Sequence, residues 1–130
     1  MYLGIDFGLK RVGLAIGDRV AIPKKVVGND QNLIQMIVNL AAEIGAEKII
    51  IGQPIKDDGR DGDLCPAIKK FAADLSQVFD GEIIFEDESD TTSSANQKLI
   101  FADVSIKKSK EEIDAIAAAA ILQQYIDNQK

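Results

Sequence analysis

The sequence predicts an α/β fold, a mixed five-stranded sheet of three antiparallel strands followed by two parallel ones, with helices on both faces. Three observations predict it. Two short segments of strict alternation open the chain with a tight turn between them. Two continuous apolar runs, Ile49-Ile50-Ile51 and Ile83-Ile84-Phe85, come later. Segments of helical period separate and follow those runs, as parallel crossovers require.

Each element has its own reason. In Tyr2 to Phe7 the residues Leu3, Ile5 and Phe7 face one side, and Gly4 and Asp6, followed by Gly8, face the other. After the turn at Gly8-Leu9-Lys10, Arg11 to Asp18 alternates again, with Val12, Leu14 and Ile16 set against Gly13, Ala15 and Gly17. Val20 to Val27 is a third strand, and Pro23 inside it argues for a place near an edge.

Asn29-Asp30 is positioned to cap a helix running to about Ile44. Leu33, Ile37, Leu40, Ala41 and Ile44 recur along it, and Gly45 ends it. Lys48 to Gly52 is expected to be a strand buried on both faces. A loop rich in Gly, Pro and charge covers Gln53 to Gly62, followed by a helix over roughly Leu64 to Val78 and a strand over Glu82 to Asp87. Thr91 or Thr92 caps a short helix to about Phe101. Ser109-Lys110-Glu111-Glu112 has the capping-box form and opens a last helix, through about Asp127, with Ile113, Ile116, Ala117, Ala120, Ile121 and Gln124 on one side.

Composition narrows the function. A chain of 130 residues suits a single domain over 1–130, with a core that needs no disulfide staples. Cys65 is the sole cysteine, which excludes an internal disulfide and fits a reducing compartment. No apolar run is long enough to span a membrane and no signal peptide precedes the first strand, so a cytoplasmic protein without a membrane partner is expected. The absence of histidine removes Ser-His and Cys-His triads and histidine metal sites. Hydrolytic chemistry in this chain must rest on carboxylates, with a hard cation such as Mg2+. The net charge of −6 weighs against strong nonspecific binding of nucleic acid but leaves room for a local basic patch.

Asp6 is the sharpest site candidate, because a carboxylate on a face emptied of side chains leaves room for a metal ion or a phosphate backbone. The plainer alternative is that the glycines admit a closely packed helix while Asp6 pairs with Lys10 or Arg11. Asp87 and Glu88 end the last apolar strand, where open α/β sheets gather ligands, although a solvated strand end is the simpler account on pattern alone. Asp114 lies one turn inside the final helix, beside its apolar stripe. It could answer the helix dipole, a role Glu111 and Glu112 already fill. Asp58-Gly59-Arg60-Asp61-Gly62 is a charged loop that is either a cover for substrate or a surface turn. Lys107, Lys108 and Lys110, with Lys10, Arg11, Lys24 and Lys25, could form a phosphate-binding rim, or simply a solvated surface.

Four blocks resemble the YqgF (RuvX) family in the family's own order. They are Gly4-Ile5-Asp6-Phe7-Gly8-Leu9-Lys10-Arg11-Val12-Gly13-Leu14-Ala15; Gly52-Gln53-Pro54 with Asp58 to Gly62; Asp87-Glu88 with Thr91-Thr92-Ser93-Ser94-Ala95; and Lys107-Lys108 with Ile113-Asp114-Ala115-Ile116-Ala117-Ala118. The resemblance implies an RNase H-like fold and a Mg2+- or Mn2+-dependent endonuclease. Its expected substrate is the precursor of the small-subunit ribosomal RNA, at whose 5′ end it would act, or a Holliday junction. It implies Asp6, Glu88 and Asp114 as catalytic acids and metal ligands. Lys10, Arg11, Arg60, Thr91, Thr92, Lys107 and Lys108 are the expected nucleic-acid contacts. Glu88 is followed by Ser89-Asp90 where the family usually carries Arg-Leu.

Three readings stand at this point. The first is a metal-dependent nuclease on structured RNA or branched DNA, as a monomer or a symmetric homodimer. The second is a non-catalytic nucleic-acid or protein-binding module of the same fold, favoured by Ser89 and the acidic charge. The third is a nucleotide-binding lobe, because Asp6-Phe7-Gly8 in a hairpin also resembles the phosphate-binding start of actin-like kinases. Those proteins need two such lobes.

Overall fold

The computed structural model describes residues 1–53, 65–87 and 110–128. Within them the elements run β1 (Tyr2–Phe7), β2 (Arg11–Gly17), β3 (Ile22–Gly28), α1 (Leu33–Ile44), β4 (Lys48–Gln53), α2 (Cys65–Ser76), β5 (Glu82–Asp87) and α3 (Lys110–Asn128). The expected short helix after Thr91 or Thr92, the loop around Arg60 and the Ser109 cap lie outside the described residues. Among those described, no helix is long and apolar enough to cross a membrane.

The strands form one five-stranded sheet in the order β3-β2-β1-β4-β5. β1 pairs with β2, and β2 with β3, antiparallel; β1 pairs with β4, and β4 with β5, parallel. This is the predicted mixed sheet. Parallel pairing puts the carboxyl ends of β1, β4 and β5 on one edge, where open α/β sheets build their sites. Pro23 does lie in an edge strand, beside an irregularity in the β2–β3 register between Leu14 and Ala15.

Strand alternation divides the core in two. On one face Leu3, Ile5, Phe7, Val12, Leu14, Ile49 and Ile51 pack under α1 and α2. Those helices contribute Leu33, Ile37, Leu40 and Ala41, and Ile68, Phe71, Ala72 and Leu75, each set on a single helical stripe. On the other face Ala15 and Ile50 pack under α3, which among the described residues is the helix covering it, through Ala118, Ala119, Ile121, Leu122, Tyr125 and Ile126. Ile49, Ile50 and Ile51 are all fully buried, the double-sided burial expected of a central parallel strand.

Two local expectations need correction. Helix α1 begins at Leu33 with Asn32 at its N-cap, because Asn29 is turned toward Gly8 and Asp30 forms the turn that leads into the helix. The Asn29 side-chain amide donates to the Gly8 carbonyl at 2.7 Å, and Asp30 Oδ1 accepts from the Asn32 backbone N–H at 2.9 Å. The helix stops as expected, with Gly45 at φ 66° in the left-handed region. The second correction concerns α3. Its buried stripe runs through Ala115, Ala118, Ala119, Ile121, Leu122, Tyr125 and Ile126; Ile121 is buried as expected, while Ile116, Ala117, Ala120 and Gln124 are only half-buried. Steric fit outweighs hydrophobicity here, since small alanines meet a sheet face floored with glycine.

Candidate active site

The glycine face is filled by a helix, and that helix completes the site. A Cβ on Gly4 would stand 2.7 Å from Leu122 Cβ and 3.0 Å from the Ala118 carbonyl oxygen. A Cβ on Gly13 would run into the backbone carbonyl of Asp114. The two glycines thus let α3 lie directly on β1 and β2. Its start comes down beside Asp6, which is the cross-strand partner of Gly13. Asp114 precedes Ala118 by four residues and so continues the buried stripe toward the helix start. The two accounts of the emptied face therefore combine, because the close-packed helix is what brings a second acid to the first.

Asp6, Gly8, Leu9, Lys10, Arg11 and Asp114 line one shallow cleft of about 200 Å³. Burial, and then the neighbouring Asp114 charge, push the Asp6 carboxyl up to about 6 from an ordinary 3.8. Arg11 pairs with Asp114, not with Asp6: its Nε donates to Asp114 Oδ2 at 2.8 Å. Asn29 fixes the turn that forms the cleft's rim. Its backbone N–H donates to the Lys10 carbonyl at 3.0 Å while its side chain holds Gly8. Pattern alone assigns Asn29 to a helix cap and gives no sign of this clamp.

Of the expected site residues, Asp6, Lys10, Arg11 and Asp114 come together. Glu88, Arg60, Thr91, Thr92, Lys107 and Lys108 lie outside the described residues. Lys24 and Lys25 are exposed on β3 and do not line the cleft. Asp87 ends β5, in register with Gln53. One residue before it, Glu86 accepts from Gln124 Nε2 at 2.8 Å and is tied to α3 rather than to the cleft. Among the described residues no group of three or more potential metal-ligating side chains occurs. Asp6 and Asp114 are two members of the expected three.

Comparison with known proteins places these features in a family. A family model described as RuvX, Holliday junction resolvase, matches residues 1–128. A protein of Sulfurihydrogenibium sp. named "Putative pre-16S rRNA nuclease" is 37% identical over 130 residues, covering 96% of this chain and 88% of its own. One of Halalkalibacterium halodurans with the same name is 37% identical over 135 residues, covering 98% and 96%. Among solved structures, Thermus thermophilus RuvC in complex with a Holliday junction substrate superposes with TM-score 0.65 at 14% identity, over 98% of this chain and 94% of that one. Fowlpox virus resolvase bound to junction DNA gives 0.56 at 11% identity, over 98% and 97%. At such identities these two likenesses bear on the fold, which is the RNase H-like sheet expected.

Proposed function

The chain belongs to the RuvX family, and from that premise we propose that it is a metal-dependent endonuclease hydrolysing phosphodiester bonds in structured nucleic acid. The carrying observation is the meeting of Asp6, from the first strand, with Asp114, from the last described helix, on one cleft. Precursor 16S ribosomal RNA is the first substrate to test, since relatives matched over nearly their full length carry that name. A four-way DNA junction is the second, after the family model's description.

The donor set fits Mg2+ or Mn2+. The described lining brings two carboxylates and no imidazole, and the cost of ionising the buried Asp6 beside Asp114 is one a hard cation would remove. Asp6, Asp114 and, by motif, Glu88 are the proposed ligands. Bound there, the cation would supply Lewis-acid polarisation of the phosphoryl group and stabilise charge on the leaving oxygen. Lys10 on the rim would hold a substrate phosphate as a point charge. Arg60, Thr91, Thr92, Lys107 and Lys108 are proposed as further contacts to the nucleic-acid backbone. The first motif would place Arg11 with them, but its bond to Asp114 sets it apart from Lys10.

The test is cleavage of precursor ribosomal RNA, unstructured RNA and a four-way junction in Mg2+ or Mn2+, with Asp6→Asn alongside. Cleavage that the variant loses supports the nuclease, and the preferred substrate separates the two names. A folded protein that binds these nucleic acids but cuts none would favour the non-catalytic module, to which Ser89-Asp90 already points.

A further inference from the structure

We infer that Arg11 is a positioning residue for Asp114, with its guanidinium aligning that carboxylate as a ligand rather than serving first as a phosphate contact. The inference rests on the reading of the cleft as a metal site.

Arg11 and Gly13 are two residues apart in β2 and so share one face of the sheet, the face that α3 covers. Both meet the same residue. At Gly13 the absent side chain admits the main-chain carbonyl of Asp114. At Arg11 the Nε hydrogen holds Oδ2 of the same aspartate at 2.8 Å. One strand therefore fixes Asp114 at its backbone and at its side chain, across 103 residues of sequence.

The side-chain hold is needed because Asp114 is set against Asp6. Like charges facing one cleft repel, and the Asp114 side chain, 29% exposed, has solvent to turn toward. The Arg11 bond opposes that rotation. It engages one carboxylate oxygen and leaves the other for a cation. Metal-ligating carboxylates are commonly held by such outer hydrogen bonds, and losing one weakens metal binding by about 10- to 100-fold. The guanidinium charge of Arg11 is offset by the Asp114 carboxylate it bonds, which separates it from Lys10 on the same rim.

The test compares the parent with Arg11→Ala and Arg11→Gln. The glutamine variant is informative because its side-chain amide nitrogen is attached at Cδ, as Nε is in arginine, so it keeps the donor and removes the charge. Mn2+ binding is followed by electron paramagnetic resonance or calorimetry. RNA binding is followed in EDTA as a function of salt, and circular dichroism confirms folding. R11A is expected to bind Mn2+ about tenfold more weakly or worse, with R11Q recovering most of the loss. The salt slope of RNA binding should be unchanged in both variants, whereas a phosphate contact would lower it by about one. Unaltered or tighter Mn2+ binding in R11A, failure of R11Q to recover it, or a reduced salt slope would each overturn the assignment. A parent protein that binds no Mn2+ would remove the metal reading itself, and this proposal with it. Cleavage by the parent with unchanged Mn2+ affinity in R11A would sink the positioning role alone.

Discussion

Gly13 stands opposite Asp6 across the β1–β2 pair, and the space where its side chain would be is occupied by the backbone of Asp114. That contact makes Gly13 a determinant of the site although it carries no functional group. Gly13→Ala is expected to lift the start of α3 from the strand. Overpacking of this kind costs about 1–3 kcal/mol, and here the obstacle is main chain, which cannot rotate away. Urea unfolding should show the loss, and Mn2+ affinity should fall in protein that remains folded. Parent-like values in both measurements would contradict the placement of α3.

Asp6 should make stability fall as pH rises. Its folded carboxyl is held at about 6 against an ordinary 3.8, so between those values the folded chain binds more protons than the unfolded one. The destabilisation grows across that window and is complete above it. A shift of about two units corresponds to on the order of 3 kcal/mol at neutral pH. Asp6→Asn should therefore be more stable than the parent by about 2–3 kcal/mol at pH 7.5, with the gap closing below pH 4, while cleavage is lost. Equal unfolding midpoints at both pH values would show that Asp6 is not held in this way.

Metal binding should share that window. A cation needs the ionised carboxylate, so Mn2+ affinity is expected to climb with pH up to about 6 and then level off. Calorimetric titrations at pH 5, 6 and 7.5 would reveal it. A flat profile would mean that Asp6 is no ligand.

Leu122 is fully buried under the sheet and is the side chain nearest the space above Gly4. Leu122→Ala should cost about 2–5 kcal/mol. Because α3 is the helix that covers that face among the described residues, the loss should fall on the helix bearing Asp114. Hydrogen exchange is expected to speed up along α3 more than along α1.

Glu86 and Glu88 should separate cleanly. Glu86 accepts from Gln124 and Asn128, so Glu86→Ala should lower stability by about 1 kcal/mol with cleavage kept. Glu88→Gln should abolish cleavage with the unfolding midpoint retained. The reverse pattern would exchange their roles.

The sheet is legible in the sequence because its signals are local. Alternation at Leu3, Ile5 and Phe7, and the unbroken Ile49-Ile50-Ile51, each permit one placement in a half-buried or fully buried strand. Asp6 is legible because an acid among glycines is conspicuous. Helix α3 is less so, since the larger Ile116 suggests a stripe that close packing gives instead to Ala115, Ala118 and Ala119. The Arg11–Asp114 pair is invisible to pattern reading. Nothing near Arg11 in sequence marks a partner 103 residues away, and Asp6 is the closer candidate. Asn29 misleads for a similar reason: a polar residue before a helix looks like a cap until the turn it grips is in view.

The order in which the acids enter the fold has a consequence for timing. Asp6 lies in β1 and Asp114 in α3, with β2 to β5 and, among the described residues, α1 and α2 between them. Contacts of such long range are among the last to be made, because the intervening chain must close before they are rewarded. The acid pair is therefore expected to form late in folding. A chain with β1 and β2 already zipped but α3 not yet docked would present a lone aspartate over bare glycines. Such a partly folded chain could touch nucleic acid without being equipped to cut it.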